Sequence, residues 1–397
     1  MSVTYPRGFR AAGIEAGLKE SGRPDLALLV SDTPAVAAGA FTTNAFAAAP
    51  VILTKRHLSK GTARAVIVNS GQANAGTGPE GVSDAEAMAA AVGKELGCDQ
   101  EEVLVCSTGV IGPRIPLDVI GVALPDAIGK LSPDAGSAFA EAILTTDTRS
   151  KEAARDSGPY RVGGCVKGAG MIAPRLAPHS KLATMLVFMT SDAPVTDACL
   201  RRIVAERITP VWNGYVVDSC QSTNDTVLVL ASGAAGGDPV GDDTEEASAL
   251  GWAFESVCEE LVRQAAADAE GATKALIVQV DGAPDRDAAR RVGLTVAASP
   301  LVKTAVFGED PNPGRILQAI GDAGVRIDPA RVGASLDGAP VLEGGIVLDR
   351  EPPEAKEALQ GPEVVVRISL GGGDGSATVF GCDLSYDYVR INSRYTT

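Results

Sequence analysis

Several kinds of residue are scarce in this 397-residue chain, and each shortage excludes something. Histidine occurs twice, as His57 and His179. A cysteine or serine nucleophile that depends on an imidazole base therefore has almost nothing to draw on. Basic charge is also short. Thirty-five Lys and Arg face 50 Asp and Glu, a formal net charge of −15. That balance supplies no cationic footprint for nucleic acid or for an anionic membrane surface. Cysteine is present seven times but never as CxxC, and the thiols (Cys98, Cys106, Cys165, Cys199, Cys220, Cys258, Cys382) are scattered. They read as reduced and mostly buried, the usage of a cytoplasmic protein. With two isolated histidines they give no zinc pattern, so no metal is expected. No apolar run approaches the roughly 20 residues of a membrane helix, and the start, MSVTYPRGFRAAGIEAGLKE, has no apolar leader core. Aromatics make up only 4%, which leaves a core of Ala, Val and Leu.

What is present is a chain long enough for one to three domains and rich in tight turns, with 45 glycines. Short apolar runs alternate with helical patterns. Arg64–Asn69, Val103–Ser107, Thr226–Ala231 and Lys274–Val280 read as buried strands. Ser83-Asp-Ala-Glu86 has the form of a capping box opening a helix over Asp84–Leu96, with Gly97 to close it. Leu250, Phe254, Val257, Leu261 and Ala265 recur at helical spacing within about Glu245–Asp268. Near the C-terminus, strands over Glu363–Leu370 and Ala377–Asp383 flank Gly371-Gly-Gly-Asp-Gly375. This glycine run lacks the GK[ST] of a phosphate loop and reads as a hairpin turn. Asp310–Arg315 reads as turn chemistry. The alternation predicts an α/β or α+β protein with layered sheets covered by helices.

Spacing alone identifies no triad, metal site or dinucleotide fingerprint. It does place hydroxyls at the mouths of strands and helices: Ser107-Thr108-Gly109, Thr145-Thr146-Asp147-Thr148, and Thr184 in Lys181-Leu-Ala-Thr-Met-Leu-Val-Phe-Met-Thr190. Where histidine is scarce, a free α-amino group is a base suited to neutral pH. An N-terminal threonine carries that base itself. Thr184 meets this description only if the peptide bond before it is cut; otherwise it is an ordinary β-branched strand residue.

Many motifs in order carry a resemblance over nearly the whole chain. They are Phe41-Thr-Thr-Asn44, Asn69-Ser-Gly-Gln-Ala-Asn74, Ser107–Gly112, Thr145–Thr148, Lys167–Pro174 with Ala183-Thr-Met-Leu186, Ser222–Thr226, Glu270–Lys274, Ser299–Thr304, Asp310-Pro-Asn312 and Cys382–Asn392. Together they resemble the ornithine acetyltransferase (glutamate N-acetyltransferase) family of arginine biosynthesis, whose fold is similar to that of N-terminal-nucleophile aminopeptidases. The resemblance implies autocleavage between Ala183 and Thr184, giving an α chain 1–183 and a β chain 184–397. Of the β chain, about 184–280 would complete the catalytic core and about 281–397 would form a C-terminal α/β lobe. The two chains would assemble as a heterotetramer in the cytoplasm. It implies Thr184 as nucleophile and Thr108 with Gly109 as the oxyanion-stabilising pair. Thr145 or Thr146, Lys167, Thr184, Glu270, Asn392 and Thr397 match substrate contacts. The substrates implied are N2-acetyl-L-ornithine and L-glutamate, with acetyl-CoA as a further donor to consider and no cofactor.

The chain departs from the family pattern at an inserted Ala177–Leu182, at Gln72 and Pro313, and in Trp212–Cys220. These changes bear on substrate identity and on cleavage. Two other classes stay open on sequence grounds. One is an amidase or aminopeptidase that uses water as acceptor. The other is an uncleaved, non-catalytic binding protein.

Overall fold

The computed structural model describes residues 2–178, 185–348 and 353–394. His179, Ala183, Thr184, Thr397 and most of the inserted segment lie outside the described residues. Two sheets organise the chain. The first joins β1 (Phe9–Ile14), β2 (Leu26–Thr42), β3 (Thr62–Asn69), β4 (Val103–Ser107), β5 (Lys151–Ser157), β6 (Tyr160–Lys167), β7 (Leu176–Pro178), β8 (Leu186–Ser191) and β9 (Thr226–Ala231). Its order is β4-β3-β2-β9-β8-β6-β5, with β1 and β7 added onto β2. The pairs β3–β4 and β8–β9 are parallel and the rest antiparallel. The second sheet holds β10 (Ala275–Ala283), β11 (Gly333–Leu336), β12 (Ala339–Glu343), β13 (Ile346–Val347), β14 (Glu363–Ser369) and β15 (Gly375–Cys382), in the order β13-β12-β11-β14-β10-β15.

The layering follows from the two-residue period of a strand. Every residue of β8 and β9 is buried. Val187, Met189, Val227 and Val229 point into one core, while Leu186, Phe188, Leu228 and Leu230 point into another. The helix Glu245–Ala267 covers the first face with Leu250, Phe254, Val257, Leu261 and Ala265, the stripe read from the sequence. On the second face Phe139 meets Phe188 edge-on, with centroids 5.1 Å apart. Strand β10 divides its side chains in the same way. Ala275 and Ile277 join the core under the helix 245–267, and Leu276, Val278 and Val280 join a core shared with the helices Arg286–Ala298 and Pro313–Asp322. The helix 245–267 thus lies between the two sheets, and the architecture is a layered α/β one. Among the described residues no helix is long and apolar enough to cross a membrane.

Three local expectations are corrected. The helix expected from Asp84 begins at Gly78, with Pro79 in its first turn, and Ser83 donates to Pro79 O from within the helix. The capping box is therefore interior. Proline at a helix start, where no N–H is needed, outranks a Ser-x-x-Glu match. Gly97 does close this helix, at φ +66°. Nor does the glycine run Gly371–Gly375 make a hairpin. Strands β14 and β15 both pair with β10, which lies between them. The run crosses the end of β10 instead: Gly372 N donates to Gly282 O, and a Cβ on Gly282 would lie 2.6 Å from Gly371 N. Asn312 caps the helix that starts at Pro313, so Asp310–Arg315 is helix-start chemistry.

Candidate active site

Residues far apart in the chain meet at one cavity of about 140 Å³. Its lining includes Thr108, Gly109, Thr145, Thr146, Lys167, Glu270 and Asn392. All seven of the described residues to which the sequence assigns a role are therefore together. The cavity is smaller than the roughly 300–1,000 Å³ typical of drug-sized ligands, a size suited to a single amino acid. Other recesses are larger, such as the one of about 1040 Å³ beside Phe46 and Ile52. Its lining is mostly apolar, with Lys55, Thr77, Ser83 and Glu86 at its polar positions, and includes none of the residues to which the sequence assigns a role.

Each wall has a local cause. Strand β4 ends at Ser107, and the chain turns sharply through Thr108 and Gly109. Thr108 N donates to Asn69 O and Val110 N to Gly71 O, which bind this turn to the segment after β3. Gly109 sits at φ +123°, and a Cβ there would lie 2.3 Å from Gly71 O. Only glycine fits. Among the described residues the Gly109 N–H donates to nothing. From the Ser222–Thr226 motif, Asn224 Nδ2 donates to Ala73 O at 2.5 Å and Ser107 O at 2.8 Å, fastening the turn to β9.

Lys167 ends β6 with 4% exposure, and its Nζ donates to Thr108 Oγ1 at 3.1 Å. The Thr108 hydroxyl thus accepts from an ammonium, and its own proton is free to donate elsewhere. Burial lowers the Lys167 pKa; the Asp147 carboxylate works against that, and the Lys151 ammonium adds to it. Asp147 is held well below the usual carboxylate range. Its burial acts the other way, but the Lys151 and Lys167 charges and the Gly168 N–H outweigh it.

The opposite wall comes from the end of the helix 245–267. Glu270 N donates to Ala169 O at 2.8 Å, and Glu270 Oε2 accepts from Asn392 Nδ2 at 2.8 Å. Gly170 leaves the room this carboxylate occupies, since a Cβ there would lie 2.3 Å from Glu270 Oε2. Asn392 ends the helix Tyr386–Asn392.

Sequence reasoning gave no role to Asp218, Cys220, Tyr388 and Met171, which also line the cavity. Asp218 accepts from Met171 N at 2.6 Å and Ile172 N at 2.9 Å, and so holds the loop that follows Lys167 in place. Met171 takes φ +56°, which is uncommon for a side chain of its kind. Burial and the nearby Asp218 push the Cys220 thiol up, which disfavours the thiolate a nucleophile would need. Each of these residues lies within a stretch already singled out in the sequence: Met171 in Lys167–Pro174, Asp218 and Cys220 in Trp212–Cys220, Tyr388 in Cys382–Asn392, just as Asp147 lies in Thr145–Thr148.

Met185, the residue after Thr184, is fully buried, and its carbonyl accepts from Thr226 N at 2.6 Å. Next to it Leu186 pairs with Lys167 across β8 and β6. The described chain therefore enters β8 from a fixed point, Met185, whose neighbour Leu186 lies beside Lys167.

Residues 10–397 match the model of the ArgJ family. The chain is similar to the arginine biosynthesis bifunctional protein ArgJ of Thermus thermophilus, with 47% identity covering 100% of both chains. It is similar to the protein of the same description from Thermosynechococcus vestitus, with 44% identity over 100% of this chain and 98% of that one. Among solved structures, an ornithine acetyltransferase complexed with ornithine from Mycobacterium tuberculosis is 46% identical, over 44% of this chain and 96% of that chain, with a TM-score of 0.44.

Proposed function

Because the chain belongs to the ArgJ family, an acyltransferase family of arginine biosynthesis, we propose that it moves an acetyl group from N2-acetyl-L-ornithine to L-glutamate through Thr184. The observation that carries this reading is the meeting of Thr108, Gly109, Lys167, Glu270 and Asn392 at one cavity, beside the strand that begins just after Thr184.

The proposed sequence has two stages. First, Thr184 Oγ attacks the Ala183 carbonyl carbon. The Ala183–Thr184 C–N bond breaks, the nitrogen takes the hydroxyl proton, and an ester links the two residues. Water hydrolyses that ester, leaving a carboxylate on Ala183 and a free amine and hydroxyl on Thr184. The cut separates 1–183 from 184–397, with β1–β7 in the first chain and β8 onward in the second. Hydrogen bonds of β8 and β9 with β6 and β2 span the cut and keep the chains together, and two such pairs make the proposed heterotetramer.

In the second stage the Thr184 amine takes the hydroxyl proton as Oγ attacks the acetyl carbonyl. The oxyanion forms opposite the Thr108 hydroxyl and the Gly109 N–H. The amide C–N bond breaks, ornithine leaves with the proton, and Thr184 carries the acetyl ester. The glutamate amine attacks that ester, the ester C–O bond breaks, the surplus amine proton passes by way of the Thr184 amine to Thr184 Oγ, and N-acetylglutamate leaves with the free hydroxyl restored. Lys167 offers a charge for the α-carboxylate. Glu270, steadied by Asn392, offers one for the ornithine ammonium. No step in this sequence calls for a metal or an organic cofactor. Acetyl-CoA, a thioester, would enter the same cycle as an alternative donor at the first attack.

The test combines intact mass with transfer assays. Purified protein should give two fragments, the second starting at Thr184, and acetyl transfer from acetylornithine should depend on glutamate. Thr184→Ala should stay a single chain. Cleavage of that variant at the same bond would refute attack by Thr184, and acceptor-independent release of acetate would mark a hydrolase.

A further inference from the structure

Behind the cavity lies a group of three buried charges. Lys151, the first residue of β5, has no exposed side-chain surface, and its ammonium contacts Asp147 Oδ1 at 2.5 Å and Asp268 Oδ2 at 2.6 Å. The carboxylates spend their remaining lone pairs on the cavity walls. Gly168 N donates to Asp147 Oδ1 at 2.8 Å and Thr145 N to Asp147 Oδ2 at 3.2 Å. Thr148 donates to Asp268 from both its backbone N–H and its hydroxyl. One ammonium therefore ties together the Thr145–Thr148 segment, the Lys167–Gly168 turn and the end of the helix that leads to Glu270.

Stability alone does not call for this arrangement. Burying each ion costs several kcal/mol, and apolar side chains of similar volume often serve as well or better. The charge balance points elsewhere. Two carboxylates against one ammonium leave a single net negative charge, and Lys167 is the neighbouring buried cation that offsets it. The other charges facing Lys167 are Asp225, ahead of β9, and Glu270, which favour its ammonium, and Lys19 with Lys151, which oppose it.

We propose that Asp147 is a positioning residue: clamped by Lys151, it fixes a carboxylate beside Lys167, so that Lys167 remains an ammonium and donates to Thr108 Oγ1, turning the Thr108 proton toward the cavity. The role assigned to that proton rests on the reaction proposed above; the coupling of Asp147 to Lys167 does not. Lys151 has a double part in this scheme. It orders Asp147, and it repels Lys167.

The test uses Asp147→Asn, Lys151→Met and the double variant, each in the full processed protein. The protonation of Lys167 is read without substrate, as the rate of trace acetylation by acetic anhydride against pH, measured by mass spectrometry on the peptide containing Lys167. Asp147→Asn should move this titration to lower pH by about one unit or more. Lys151→Met should move it to higher pH, and the double variant should return it toward the wild-type value. The alkaline limb of kcat/KM should follow the same order. A purely structural clamp predicts no opposed shifts, and a double variant more impaired than either single one. Shifts in the same direction, or none, in variants with wild-type near-ultraviolet circular dichroism would overturn the proposal. The double variant removes one acid and one base, so it remains informative if a single variant fails to fold. If the titrations move as expected but wild-type protein transfers no acetyl group to glutamate, the coupling stands and only the assigned reaction falls.

Discussion

Lys167 Nζ lies 3.1 Å from Thr108 Oγ1, a contact between the end of β6 and the exit of β4. In the sheet order β4-β3-β2-β9-β8-β6 four strands separate these two. The sheet must therefore curl for their ends to meet, and β2 supplies the bend. It pairs with β1 and β3 through its first half and with β9 and β7 through its second, with a register shift between Val30 and Ala35. The cavity is what that curvature encloses.

The first prediction concerns the hydroxyl at this contact. In Thr108→Ala the Lys167 ammonium loses its acceptor and the oxyanion loses a donor. Turnover of acetylornithine should fall roughly 10²–10³-fold. KM should change far less, because the donor acts on charge that develops only in the transition state. Steady-state kinetics separate the two. Unchanged kcat with a raised KM would make Thr108 a substrate-positioning group only.

The second prediction sets Gly109 against Gly112, two nearby positions with positive φ. At Gly109 a Cβ would collide with Gly71 O at 2.3 Å, whereas at Gly112 nothing lies within 4 Å. Gly112→Ala should cost only backbone strain, of order 1 kcal/mol. Gly109→Ala must also displace the turn that presents its N–H. It should lose at least about a hundredfold in kcat, beyond what its urea midpoint explains. Equal effects on activity at the two positions would deny the Gly109 N–H a place in the site.

How much of this was legible in the sequence can be judged from particular residues. Strands β4 and β9 are legible with their observed bounds, and so is the stripe Leu250 to Ala265, because each is a run whose burial follows directly from its own periodicity. Gly371–Gly375 was misread because a turn's local chemistry does not say whether the strands it joins are neighbours. Only the pairing of both with β10 decides that. The site shows the same division. Motifs gave Thr108, Lys167 and Glu270. Lys151 carries no mark of its own. Its meaning comes from Asp268, far along the chain, which the fold brings to within 2.6 Å.

The third prediction is that the Lys167 contribution to stability and the catalytic activity respond to alkaline pH in opposite senses. The folded-state pKa of Lys167 is lowered, chiefly by burial, and that of Lys19 is lowered to about 8 for the same main reason. In the unfolded chain both return toward the ordinary lysine value of about 10.4. Between the folded and unfolded values the unfolded state binds more protons, so this contribution to unfolding free energy rises with pH. The penalty is present in full below the folded values and is relieved as pH climbs through them toward 10.4. Catalysis that needs the Lys167 ammonium falls over the same rise. The buried thiols, whose pKa values burial raises, lower absolute stability over this range, so the Lys167 part is read as a difference: from pH 7 to 10 the urea-unfolding free energy of the wild type relative to Lys167→Met should rise while kcat/KM falls. A difference that stays flat or falls with pH would refute a depressed Lys167 titration.

The fourth prediction is that donor and acceptor alternate at one site. The cavity lined by Thr108, Lys167 and Glu270 is small, about 140 Å³. Acetylornithine and glutamate share an α-carboxylate and differ chiefly in side-chain charge. One ammonium can therefore anchor both, provided ornithine leaves before glutamate enters, and a covalent acetyl-Thr184 permits that order. Lys167 has three N–H donors; one faces Thr108 Oγ1, which leaves others for a carboxylate. Under the proposed reaction Glu270, held by Asn392, would discriminate between the two side chains by attracting the ornithine ammonium and not the glutamate carboxylate. Double-reciprocal plots should be parallel, and donor alone should add one acetyl mass to the chain beginning at Thr184. Lys167→Ala should raise KM for both substrates and lower kcat as well, because it also strips Thr108 of its partner. Glu270→Gln should weaken acetylornithine by roughly tenfold, the loss of one partly exposed ion pair of about 1 kcal/mol or slightly more, while leaving glutamate within a factor of about three. Intersecting plots without an acetylated chain would require a ternary complex instead. A Lys167→Ala variant that loses only one substrate would assign the other carboxylate to a different cation.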